Sequence, residues 1–463
     1  MAASSTAELD QAEQLILSQR LQWGYTNQPP LYTWVIWALS HVGGVSLGLF
    51  YLVKVSLLAL LTRAFAGVGE ELGFSDCQHV LALSGLAWLP AFVWEAQRDL
   101  THSMMAATLA AMTLWATLVA LRRQRPWAYA LIGLAAGGAM LSKQNALIFV
   151  LAVLLTVVSL PSWRRRLKPA GLVLAMLCAV LVCAPHALWL LSHGDALSRT
   201  TQKVMAHGDA GWAAHTVSPV LALGEGLGSF LLPWLLLAWP LCRQARVTTE
   251  ASRFMGRLAA VVLLLLLAFV ALAGVGEFKA RWLFPILFFA PLWLAASVGG
   301  QTGRLGLWMV WGGVAWAVLC GVLLAARIVW PLPGAAVTRQ NLPFMPLAEQ
   351  LRTQWGDAPA LVLASNHHVG GNLRLAWPAS TEVVTPLVNW PVAMPSSAPL
   401  VWAEQDLRDP RFAHWLRATT GLAVPQLVAQ GQVSAPLLHR PEAPPYRLSW
   451  ARVPLRPEKK GSP

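Results

Sequence analysis

Charged side chains make up only 12% of this 463-residue chain, and those with chemical potential gather in short runs between apolar stretches. The first run is Leu9-Asp10-Gln11-Ala12-Glu13-Gln14, where Asp10 and Glu13 stand one helical turn apart and can face the same way. A solvated helix face accounts for that spacing equally well. What adds weight is the company: Gly24-Tyr25, then Asn27-Gln28-Pro29-Pro30-Leu31-Tyr32-Thr33-Trp34. A proline pair fixes the backbone just after the acidic helix, which suits a mount for a catalytic acid.

The second run, Trp94 to Ser103, holds Glu95, Arg98, Asp99 and His102 at the mouth of two apolar stretches. Ionisable groups there are costly unless paired or functional; the plainer alternative is an Arg98–Asp99 pair at the interface. Further cations follow at Lys143, in the turn Leu141-Ser142-Lys143-Gln144-Asn145, and at Lys279 and Arg281 before Trp282. Such groups can clamp the phosphate of a lipid-linked substrate, or simply anchor helix ends at the interface. His186, after Pro185, and His193, His207 and His215 complete the inventory. A metal site needs a further ligand and a geometry that their spacing does not supply, so a divalent metal stays open, with no ligand set identified.

The elements that must position these residues are membrane spans. With 56% hydrophobic residues, the chain cannot cover its own surface with polar groups, and stretches such as Val261 to Val275 call for lipid as the solvent. Ten spans are predicted, over about 45–67, 77–94, 103–121, 127–142, 144–160, 170–191, 219–242, 258–275, 282–299 and 307–329. The links at 122–125, 163–168, 243–257 and 303–304 are basic and fall on one side, which the positive-inside bias makes cytoplasmic. That bias explains the net charge of +13 without nucleic acid. The candidate residues all fall on the opposite, outer face. Five cysteines lie in or at the edges of apolar stretches, with no disulfide framework or metal knuckle.

Residues 10–24 read as an amphipathic helix at the interface, and Leu31 to Ser40, with Trp34 and Trp37, as a second. After Trp330 a proline-rich linker leads to a buried strand at Ala360 to Ala364, within a small α/β domain. The expected division is 1–44, an outer-face loop with interfacial helices; 45–330, the transmembrane domain; and 331–463, an extramembrane α/β domain.

The runs around Asp10, Gln28-Pro29-Pro30, Glu95 to Ser103, Lys143, His186 and Lys279-Ala280-Arg281-Trp282 keep an order and spacing that resembles bacterial family 39 membrane glycosyltransferases. These have the GT-C architecture shared with protein O-mannosyltransferases and the lipid A aminoarabinose transferase. The resemblance implies a polytopic α-helical GT-C-like fold in the bacterial inner membrane, with the active site and C-terminal domain facing the periplasm. It implies a sugar donor linked through phosphate to a polyprenyl lipid, and an envelope acceptor (lipid, glycan or protein) that attacks with inversion. Asp10 is then the base or acceptor-positioning carboxylate, with Glu13 and Asp99 beside it as catalytic candidates. Arg98, Lys143, Lys279 and Arg281 are the donor-phosphate candidates, and Tyr25, Gln28, Glu95, His102 and His186 line the outer face.

This chain departs from the family at three places. Gln11 stands where many relatives have the second acid of an Asp-Glu pair, and Asn27-Gln28 replace the acid and Lys of the lipid A branch. The family also places a transmembrane helix before the first outer loop, where this chain has nine residues; the expectation is a start codon assigned too late. A transporter or flippase of lipid-linked sugars is the alternative function, but it needs ionisable groups near the midplane, whereas these sit at span ends. A scaffold role for the C-terminal domain is a third reading.

Overall fold

The computed structural model describes residues 4–25, 28–99, 101–194, 212–243, 245–246, 248–273, 280–298, 303–330, 336–356, 359–392 and 395–455. In chain order the helices are α1 (Leu9–Leu17), α2 (Leu31–Gly43), α3 (Leu47–Leu72), α4 (Asp76–Ala87), α5 (Thr101–Arg123), α6 (Pro126–Ser142), α7 (Ala146–Ser159), α8 (Pro169–Ser192), α9 (Trp212–Cys242), α10 (Glu250–Ala273), α11 (Phe284–Leu287), α12 (Ala290–Ser297) and α13 (Gly303–Val329). Then come α14 (Phe344–Trp355), β1 (Leu361–Ala364), α15 (His367–Ala376), β2 (Glu382–Val384), β3 (Ser397–Trp402), α16 (Pro410–Thr420), β4 (Gly431–Ala435) and β5 (Tyr446–Pro454).

Within the described residues each predicted segment falls on a helix or a broken helix, but fewer than ten are spans. Among the described residues five helices are long and apolar enough to cross a membrane, and a sixth span forms if α4 and Ala91–Arg98 are taken together across their 62° bend. Pro90 at the break explains the bend, because a proline ring lacks the N–H that would continue the helical ladder. The chain is a multi-pass membrane protein, and α8, α10 and α13 carry large exposed apolar residues such as Leu181, Leu264 and Trp311 that suit lipid contact.

The chain divides into two compact units: residues 1–26, 33–52 and 323–463 form one, and residues 27–32 and 53–322 the other. The second is the helical unit. In it α5 is the central helix, with most of its length buried. Close approach there relies on small residues: a Cβ on Gly133 would lie 2.1 Å from the Ala175 carbonyl, so α6 and α8 meet backbone to backbone.

The first unit is built on a five-stranded sheet of order β2-β1-β3-β5-β4. β2, β1 and β3 are parallel, and β5 and β4 are antiparallel additions. β1 is buried at every position, as expected of a strand covered on both faces. Helices α14 and α15 cover one face, through Phe344, Leu347, Leu351, Val369 and Leu373; α16 covers the other, through Phe412 and Leu416.

The N-terminal acidic helix belongs to this unit. The apolar stripe of α1, expected at a membrane interface, is buried in protein instead: Leu15, Ile16 and Leu17 are 2%, 0% and 0% exposed, and Ile16 joins the α14–α15 core. Each such side chain contributes about 1.5–3 kcal/mol by burial. The amphipathic pattern is the same for either destination, which is why the sequence alone pointed to the interface. A unit uniting residues 1–26 with 323–463 also differs from a division at 44 and 330.

Candidate active site

In the first unit the site begins at α1. Its first turn is closed by the Gln11 side chain, whose Oε1 accepts from the Glu8 N–H at 3.1 Å. Upstream the chain is held by α15: the Ala7 N–H donates to Asn372 Oδ1 at 2.7 Å, and His368 Nε2 lies 3.1 Å from the Ala7 carbonyl. Gly371 permits this approach, since a Cβ there would stand 2.3 Å from the Ala12 carbonyl. Downstream, Gln19 pairs with the β2 backbone through Nε2 to the Val383 carbonyl and Oε1 from the Val383 N–H, each at 2.8 Å. Gln19 thus acts as one extra residue of strand at the sheet edge.

Asp10 is the half-exposed carboxylate of this helix, and Glu13, one turn on, has one carboxylate oxygen shielded from solvent. Gln14, fully buried beside them, accepts from the Thr33 hydroxyl at 2.6 Å. The Gln14–Thr33 bond explains the following Pro-Pro-Leu-Tyr-Thr run: it fixes the entry of α2 against the acidic helix. Tyr25, named from sequence as a site residue, has a structural task. Its hydroxyl donates to the Arg20 carbonyl at 2.8 Å, its ring packs edge-on against Trp390, and burial pushes its phenol up to about 12. Gln28 is half-buried.

In the helical unit the sequence runs around residues 95–103 and 143–145 come together. Lys143 Nζ donates to Ser103 Oγ at 2.7 Å, joining the α6–α7 turn to the first turn of α5. His102 beside it is 5% exposed, and its ring lies 5.3 Å from that of Tyr32. In the same turn, Asn145 Nδ2 donates to the Trp282 carbonyl at 2.6 Å. The 3-10 turn Ala280–Trp282, which carries the exposed Arg281, is therefore tied to the Lys143 turn. Ser103 and Asn145 went unassigned in the sequence reading, although both lay in runs that it singled out.

The charge pairing in residues 95–99 is not the Arg98–Asp99 pair that the sequence offered as the plainer alternative. Arg98 bridges to Glu95 at 3.0 Å, one helical turn back, rather than to its neighbour Asp99. The reason is local: Ala96–Arg98 is a helical turn, which puts i and i+3 on one side, while at Asp99 the backbone leaves the helical conformation, at φ −149° and ψ −132°. Asp99 Oδ1 is closed to solvent, and Lys54 donates to the Gln97 carbonyl at 2.9 Å. His186 is 7% exposed and stacks on Trp189, which in turn stacks on His193. Lys279 and His207 lie outside the described residues. Among the described residues no group of three or more His, Cys, Asp or Glu is placed to hold a metal ion.

Comparison with known proteins places these features in context. The family described as dolichyl-phosphate-mannose-protein mannosyltransferase matches residues 27–189, the stretch from Gln28 through Lys143 to His186. The lipopolysaccharide core galacturonosyltransferases RgtB and RgtA of Rhizobium johnstonii are 29% and 28% identical, over 98% and 97% of this chain and 94% and 93% of theirs. The fold is shared with the crystal structure of ArnT from Cupriavidus metallidurans bound to undecaprenyl phosphate, at a TM-score of 0.59 and 14% identity over 97% of this chain and 94% of that one.

Proposed function

We propose that this multi-pass membrane glycosyltransferase, which shares its fold with ArnT, transfers galacturonic acid from a polyprenyl-phosphate donor to the lipopolysaccharide core. The reaction takes place on the periplasmic face of the bacterial inner membrane. The observation that carries this reading is the anchored cation Lys143, held by Ser103 in a turn that Asn145 ties to the Arg281 segment. A lipid phosphate leaving group carries negative charge as its bond to the sugar breaks, and preplaced ammonium and guanidinium groups stabilise that charge without reorganising. The near full-length likeness to two galacturonosyltransferases of the lipopolysaccharide core supports the sugar and the acceptor. The likeness in fold to a protein crystallised with undecaprenyl phosphate supports the lipid carrier.

In this reading an acceptor hydroxyl oxygen forms a bond to the anomeric carbon of the donor while the bond from that carbon to the phosphate oxygen breaks. Polyprenyl phosphate leaves with the electron pair, and the anomeric configuration inverts. The hydroxyl proton passes to the Asp10 carboxylate, which strengthens the nucleophile in the transition state. Lys143 and Arg281, with Lys279, bind the departing phosphate.

The test is a reconstituted reaction. Purified protein, polyprenyl-phosphate galacturonic acid and deglycosylated core lipopolysaccharide should give one polyprenyl phosphate for each galacturonic acid added, and Asp10→Asn should abolish both. Transfer from a nucleotide-linked sugar in the absence of the lipid donor would overturn the reading.

A further inference from the structure

A second cationic site stands at the other end of α5. Ser103, which holds Lys143, and Arg122 lie nineteen residues apart on this helix, about 30 Å at the helical rise. There Leu121, Arg122, Gln124, Arg165 and Arg166 line a pocket of about 610 Å³. The basic residues of this end, expected to be topological charge alone, line an open surface recess.

Two of the three guanidinium groups are fixed by protein. Arg122 and Arg166 each pair with Glu250 of α10, at 3.3 and 3.1 Å, and both lie over the ring of the buried Trp163, at 5.7 and 4.9 Å from its centroid. Arg123 turns aside to Glu71. The turn itself is held open by Gln124, in the left-handed region at φ 54°, a conformation that a non-glycine residue keeps only when its surroundings enforce it. The enforcing contacts are those of the Gln124 amide with the carbonyls of Leu121 and Arg166, each at 3.0 Å. Arg165 is exposed, and among the described residues its side chain forms no ion pair. Three guanidinium groups against the single Glu250 carboxylate leave the recess with a net charge of +2.

We infer that this pocket binds the phosphate of an anionic membrane lipid. Fixed, planar donors suit a phosphodiester, and basic recesses at helix ends on the positively charged side of a membrane protein are suited to lipid headgroups. The surroundings favour a lipid over a free anion, because lipid-type surface is close by: Trp127, at the start of α6, is 54% exposed, and Val173, at the start of α8, is 56% exposed. The site is separate from the proposed transfer reaction and does not depend on it.

The experiment measures lipid retention by native mass spectrometry, and melting temperature in detergent, for wild type and variants with phosphatidylglycerol, phosphatidylcholine or inorganic phosphate added. Wild type should retain phosphatidylglycerol over phosphatidylcholine and melt higher with it. Arg165→Glu should lower that retention about tenfold, while Arg164→Glu, one residue outside the pocket, should leave it near wild type. Glu250→Gln, which removes the competing charge while Trp163 still carries both guanidinium groups, should raise it, an effect that misfolding cannot mimic. Equal losses in the two arginine variants would reduce the effect to general surface charge and overturn the site. Inorganic phosphate reproducing the full melting shift would overturn the lipid as its occupant, and so would the absence of any headgroup preference.

Discussion

The ammonium of Lys143 donates to the hydroxyl of Ser103 at 2.7 Å, so the turn between α6 and α7 is locked to the first turn of α5 and the cation is held in one place. A lysine of free rotation would lose side-chain entropy each time it engaged a phosphate; this one has lost most of it on folding.

Lys143→Ala should therefore lower turnover about 100–1,000-fold, the range for removing one preplaced donor to a developing charge. Ser103→Ala keeps the cation but frees it, and should cost about tenfold. Steady-state release of polyprenyl phosphate by the two purified variants measures both, and a larger loss for Ser103→Ala would contradict the order.

Asp10 and Glu13 are separable. Asp10→Asn should remove transfer while leaving the melting temperature within a degree or two, since Asp10 is half-exposed on α1. Glu13→Gln, with one shielded oxygen, should change stability as well as rate. Paired melting and turnover measurements distinguish the two.

Gly371→Ala should dislodge α1. The new Cβ would meet the Ala12 carbonyl at 2.3 Å and its Cα at 2.6 Å, both backbone atoms that cannot rotate away. Overpacking of this kind costs about 1–3 kcal/mol. Hydrogen exchange should show faster amide exchange over residues 8–17, and turnover should fall with it although Gly371 bears no reactive group.

The unit that carries His367 and His368 should lose stability in acid. Burial holds His367 and His368 down to about 4, from the usual 6.5, and Arg339 adds to this at both, with Arg411 also acting on His367. A depressed histidine is neutral in the fold, so its contribution is complete above the unfolded value and is lost as pH falls from 6.5 towards 4. Melting temperature should drop across that window, and His368→Gln should flatten part of the drop. A pH-independent melt over this range would refute the assignment.

Much of the architecture was legible in the sequence. Lipid is a demanding solvent: any backbone crossing it must satisfy its own hydrogen bonds, so apolar stretches had to be helices; the ten expected segments fall on helices from α3 to α13, but among the described residues five of these, or six with the bent pair, are long and apolar enough to cross a membrane. The same reading settled on an enzyme over a transporter from the placement of charge at span ends, and the comparisons agree on glycosyltransferase activity. Runs of polar residues also marked where to look, because such groups are expensive beside a membrane unless they are used.

What sequence could not decide was which partner each of these residues takes. Residues 10–24 bear an amphipathic pattern that fits a membrane surface and a protein core equally well. Only the folded chain brings Gly371, Asn372 and Val383 to that helix from more than 350 positions away. Arg98 chose Glu95 because one turn of helix preceded a break in the backbone. Three arginines read as topological charge became a recess because Glu250 and Trp163 hold two of them in place. Hydrophobic periodicity is local and accumulates along the chain, whereas a hydrogen bond or an ion pair depends on a few tenths of an ångström set by elements far apart in sequence.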